Sequence, residues 1–78
     1  MSSSERRIAL VIGNSAYENV AALPNPVRDA SLVADVLKLT GFESVTLLTN
    51  LRKDALVSAL REFAARAESA DWAVVYYA

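Results

Sequence analysis

The sequence predicts an α/β fold, a β-α-β-α-β chain that builds a parallel sheet with helices packed on it. Three observations lead there. Largely apolar runs at residues 8–12, 45–48 and 72–78 have the length and branching of strands buried in a sheet. The two stretches between them place apolar residues at helical spacing. Strand and helix alternate throughout, and each strand–helix–strand unit is most simply a right-handed crossover between parallel strands.

Each element has its own local signal. Ile8-Ala9-Leu10-Val11-Ile12 is an unbroken apolar run closed by Gly13, which suits a strand covered on both faces. Residues 14–24 read as a loop, with Asn14, Ser15 and Asn19 as turn formers and Pro24 near its end. Asn25-Pro26 starts a helix, Asn as the N-cap and Pro at the first helical position. Ala30, Val33, Ala34 and Leu37 recur at helical spacing, and Gly41 stops the helix as a left-handed residue. Residues 45–48 form the second strand, and Thr49-Asn50 offers another cap. Leu56, Leu60, Phe63 and Ala67 form one stripe of the second helix. Arg52, Arg61, Glu62 and Arg66 lie mostly off that stripe, with Glu62 and Arg66 spaced to pair.

Asp71 leads into the third strand. Its Trp72, Tyr76 and Tyr77 are assigned to core packing, with Tyr77 able to hydrogen-bond near the strand end. The first strand is apolar enough for a central position, so the predicted strand order is 2-1-3. That order leaves the third strand as an open apolar edge, which proteins normally cover. Domains also rarely finish on a bare apolar strand. The expected organisation is therefore a frayed arm at residues 1–6 and the amino-terminal part of one domain at 7–78, with more of that domain packing on strand 71–78.

Composition narrows the function. The hydrophobic fraction is 54%, above the ~45–50% of ordinary globular chains, which argues against disorder. Eight basic and nine acidic residues are spread along the chain for a net charge of −1. No basic stripe invites nucleic acid, and no basic amphipathic helix invites a membrane. The 78 residues contain no Cys and no His. Within them there is thus no zinc site, Cys/His pair or Ser/His/Asp triad, and no cofactor is expected. The polar start and the short run at 8–12 are neither a signal peptide nor a span, so a cytoplasmic location is expected.

The segment after the first strand discriminates among α/β families. A dinucleotide site needs Gly-x-Gly-x-x-Gly, and the run here is Gly13-Asn14-Ser15-Ala16-Tyr17-Glu18. No Gly-Lys-Ser/Thr is present for a P-loop. A phosphoacceptor receiver domain wants acidic residues at the ends of strands one and three, and neither strand ends in one.

Arg7-Ile8-Ala9-Leu10-Val11-Ile12-Gly13-Asn14-Ser15-Ala16-Tyr17 resembles the opening strand and loop of the caspase-like cysteine peptidases, especially bacterial caspase-family and metacaspase-like members. Leu23-Pro24-Asn25-Pro26-Val27-Arg28-Asp29-Ala30, with the helix running to Thr40-Gly41-Phe42, resembles that family's first helix. The second helix, and Asp71 leading into Val74-Val75-Tyr76-Tyr77-Ala78, continue the similarity. No single block is specific, but four in this order over residues 7–78 are.

The resemblance implies a three-layer caspase-like fold and an endopeptidase acting on polypeptides with a Cys nucleophile and a His base. In that family the His follows the third strand in a Gly-His-Gly turn, and the Cys follows the fourth. Thiolate and imidazole then meet over the carboxyl edge of the sheet. On this reading both residues lie beyond Ala78, and the 78 residues alone are inactive.

Site residues follow from the same resemblance. In metacaspase- and paracaspase-like relatives an acid at the position of Asp29 helps hold a substrate Arg or Lys before the cut. A carboxylate in a partly desolvated cleft suits guanidinium recognition. The plainer reading of Asp29 is a carboxylate favoured by the helix dipole. Arg28 is the competing candidate, as a binder of substrate Asp. It points about 100° away from Asp29, and the Arg of caspases that cut after Asp lies in the preceding loop. Asn14 stands beside the expected substrate path, with a turn role as the alternative. Ser15 has no His to activate it, and Tyr17 packs the loop. Two other classes remain open: a caspase-like pseudoenzyme or interaction module, and an unrelated flavodoxin-like or receiver-like binding domain.

Overall fold

The computed structural model describes residues 5–14 and 26–78. Five elements follow one another: β1 (Arg7–Gly13), α1 (Pro26–Leu39), β2 (Ser44–Thr49), α2 (Lys53–Ala67) and β3 (Trp72–Tyr77). The strands form one parallel sheet in the order β2-β1-β3. The predicted topology and strand order are both found.

The pleat of β1 divides the core in two. Ile8, Leu10 and Ile12 face α2 and pack with Phe63, flanked by Leu48, Leu51, Leu56 and Ala67. Val11 faces α1 and packs with Ala30 and Ala34, flanked by Val33, Leu37, Val45 and Tyr76. Side chains alternate faces along a strand, so an apolar run without alternation needs a helix on each side. Ile8, Val11 and Ile12 are fully buried. Each such side chain contributes roughly 1.5–3 kcal/mol relative to exposure. The small Ala30 and Ala34 on α1 supply its buried contact with the sheet, and α1 lies across β1 and β2.

The ends of α1 follow sequence logic. Its first residue is Pro26, as expected. At its end Gly41 has φ of 90°, and the Phe42 N–H donates back to the Leu37 carbonyl at 3.3 Å. That long bond closes the helix as a Schellman-type cap.

The second helix departs from expectation at its start. Thr49-Asn50 is not its cap: the N-cap is Arg52, whose side chain makes no capping bond. Asn50 takes a left-handed φ of 54° and donates its N–H to the Gly13 carbonyl at 2.8 Å. Asn tolerates that conformation better than most residues. The residue therefore extends the ladder and turns the chain, and the helix begins later. The predicted stripe holds at Leu56, Phe63 and Ala67, but Leu60 is 39% exposed. Arg66 reaches Ser44 Oγ at 2.7 Å, in place of the expected pairing with Glu62.

At the amino edge, Arg6 ties three segments together. Its N–H donates to Asp71 Oδ2 at 2.7 Å, and its carbonyl accepts from the Asp71 and Trp72 N–H groups. Its guanidinium donates to Ser69 Oγ at 3.0 Å. Its Nε lies 3.3 Å from Glu43 Oε2, an ion pair without hydrogen-bond geometry. Most of the arm expected at 1–6 falls outside the described residues. The loop features expected at Ser15, Tyr17, Asn19, Pro24 and Asn25 also lie outside them.

The third strand corrects the expectation of an aromatic core group. Trp72 is 56% exposed and Tyr77 49%, while Tyr76 packs beside Val11. The strand has β1 on one side only. On the outward side of α1, Leu32, Val36 and Leu39 are also exposed.

Candidate functional site

In a parallel α/β sheet, ligands bind outside the carboxyl ends of the strands. Here that edge is knitted by backbone bonds. The Asn14 N–H donates to the Ala78 carbonyl at 2.9 Å, and the Ala78 N–H donates to the Ile12 carbonyl at 2.9 Å. The Asn50 N–H donates to the Gly13 carbonyl from the other side. The ends of β1, β2 and β3 thus form one continuous rim.

Asn14 sits on that rim, half-buried. Its side-chain Nδ2 donates to the Tyr77 hydroxyl at 3.4 Å. The residues predicted for the sheet end are therefore brought together in part: Asn14 with Tyr77, on the face of the sheet that carries α2. Sequence reading allowed Tyr77 a hydrogen bond near the edge but did not pair it with Asn14. The signal was available in strand parity, since Ile12 stands opposite Tyr77 and Asn14 follows two residues later on the same face.

Asp29 lies in the first turn of α1 and is exposed. A helix that returns the chain antiparallel to the strands has its N-terminus at their carboxyl end, so Asp29 belongs to the same edge. It is about 100° round the helix from Ala30, which faces the sheet, so its carboxylate stands on the flank of α1. Arg28 is also exposed, about 200° round from Ala30 on the outer side. Asp29 and Asn14 are associated with opposite faces of the sheet, one through α1 and one through the bridge to Tyr77.

Two grooves lie apart from this rim. One, of about 140 Å³, runs between α2 and the sheet and is lined by Leu10, Thr46, Ala59, Phe63 and Arg66. The other, of about 320 Å³, is at the amino end and is lined by Arg7, Thr40, Phe42, Trp72 and Val74. Among the described residues no group of three or more His, Cys, Asp or Glu could hold a metal ion. No described helix is long and apolar enough to cross a membrane.

Comparison with known families gives one result. The sequence profile described as the caspase domain matches residues 6–78, almost the whole chain. No curated protein and no solved structure gives a significant match.

Proposed function

Because the chain belongs to the caspase-domain family of cysteine peptidases, we propose that it supplies the amino-terminal part of an endopeptidase domain that cuts after Arg or Lys. The observation that carries the specificity is the exposed Asp29 carboxylate in the first turn of α1, at the carboxyl edge of the sheet. A guanidinium or ammonium group at that flank gains a charge-assisted hydrogen bond and the favourable field of a carboxylate. Asn14 stands on the same rim at the end of β1, on the opposite face of the sheet from α1.

The 78 residues hold neither His nor Cys, so the nucleophile and its base come from residues outside them. The open side of β3 and its exposed Trp72, Val75 and Tyr77 are where the remaining strands and helices of the domain pack. Chemistry then proceeds at the rim. The thiolate attacks the scissile carbonyl, backbone N–H groups hold the oxyanion, and the imidazolium protonates the leaving amine.

The test is a panel of reporter peptides with Arg, Lys or Asp before the scissile bond, given to the full encoded protein. The Arg and Lys peptides are expected to be cut and the Asp peptide spared. Asp29→Asn is expected to lower kcat/KM on the Arg peptide roughly 10- to 100-fold, the worth of one hydrogen bond to a charged group. Preference for the Asp peptide, or an unchanged Arg rate in Asp29→Asn, contradicts the specificity reading. A second reading keeps the fold without the chemistry, as a caspase-like pseudoenzyme or interaction module, and replacement of the His or Cys in the rest of the domain would favour it. Cleavage of none of the peptides favours it.

A further inference from the structure

We propose that Asn14 and Tyr77 are a positioning pair: their side-chain bridge holds the carboxyl end of β3 against β1 and sets where the residues following β3 stand over the rim. Its consequence for catalysis rests on the peptidase reading above. Its structural content does not.

Three features of the rim carry the inference. Ile12 and Tyr77 are register partners, so Asn14 and Tyr77 lie diagonally on one face, within reach of each other. Asn14 meets β3 twice, through its backbone N–H on the Ala78 carbonyl at 2.9 Å and through Nδ2 on the Tyr77 hydroxyl at 3.4 Å. Within the 78 residues the Tyr77 side chain is half-exposed, so their packing alone does not fix its ring. The last hydrogen bonds of a ladder, at a strand end, are where local opening begins. A bridge from the central strand acts at that point.

The pair also stands apart from Asp29. Asp29 belongs to α1, which covers the Val11 face, whereas the bridge lies on the Ile12 face. The two should therefore affect different kinetic quantities. Asp29 selects the substrate, while Asn14 and Tyr77 place a strand end and so act on turnover.

The experiment compares the full encoded protein with Tyr77→Phe, Asn14→Ala and the double variant. Tyr77→Phe removes only a hydroxyl and keeps the ring, so the fold is kept. Amide hydrogen exchange at Ala78, whose N–H closes the ladder onto Ile12, should be roughly three- to tenfold faster in each single variant, as expected for one lost hydrogen bond. The double variant should be no faster than the singles, because the two groups act as one. Exchange at Val45 in β2 should not change. On a cleaved reporter peptide, kcat should fall by a similar factor with KM unchanged. Unchanged exchange at Ala78, independent effects that multiply in the double variant, or a change confined to KM would overturn the proposal. If the protein cuts no peptide while Ala78 exchange still responds as stated, the peptidase reading fails and the positioning pair stands.

Discussion

Gly41 is the residue at which sequence and geometry agree most closely. With φ of 90° it occupies a region that side chains bearing Cβ avoid. A Cβ added there would come within 3.3 Å of Arg7 Nη1, the same group that donates to the Thr40 carbonyl. The guanidinium can move aside, so backbone conformation dominates the cost. Gly41→Ala should destabilise the domain by roughly 1–2 kcal/mol in denaturant unfolding. An unchanged midpoint would show that the turn relaxes out of the left-handed region. The single Gly between a helical stripe and a second strand was enough to predict this. Arg6 was not predictable in the same way. Its bonds to Asp71 and Ser69 join residues more than sixty positions apart, and nothing local in a polar amino-terminal stretch announces them. Asp29 was legible as an acid at a helix start, while the proposal that it holds a substrate Arg or Lys comes only from the family resemblance.

The two helices show what an apolar stripe can and cannot say. On α1 the spacing of Ala30, Val33, Ala34 and Leu37 named the buried face correctly. On α2 the stripe included Leu60, which is 39% exposed, while Phe63 is the one residue of that helix that is buried. Spacing gives the centre of a face, and its margin depends on how the helix sits on the sheet. Ala59, one position before Leu60, instead lines the groove against the sheet. Phe63→Ala should therefore cost about 3–5 kcal/mol in chemical unfolding, and Leu60→Ala about 1 kcal/mol or less. Equal losses would mean that the two residues are equally buried in the assembled domain. The late start of α2 has a similar lesson. Asn50 carries a capping side chain, but its backbone is taken by the ladder bond to Gly13, so the cap signal was outweighed by strand pairing.

At the scale of the whole molecule, the order β2-β1-β3 was readable because the unbroken run Ile8–Ile12 suits a strand paired on both sides and covered on both faces. What the sequence overstated was the burial of β3. Apolar composition reports the surroundings that a strand is built for, and the surroundings here cover only one of its sides. Trp72, Val75 and Tyr77 on β3 are exposed, as are Leu32 and Val36 on α1. On the proposed function, further strands and helices of the domain would pack on the open side of β3. The same account puts a thiolate over the rim formed by Asn14, Ala78 and Asn50. Its most direct test is a peptidyl probe with Arg before a thiol-reactive group, added to the full encoded protein and followed by mass spectrometry. One cysteine should be labelled, faster by the Arg probe than by an otherwise identical Asp probe, and the preference should weaken in Asp29→Asn. No labelling, or labelling at one rate whatever the peptide, would contradict the central claim.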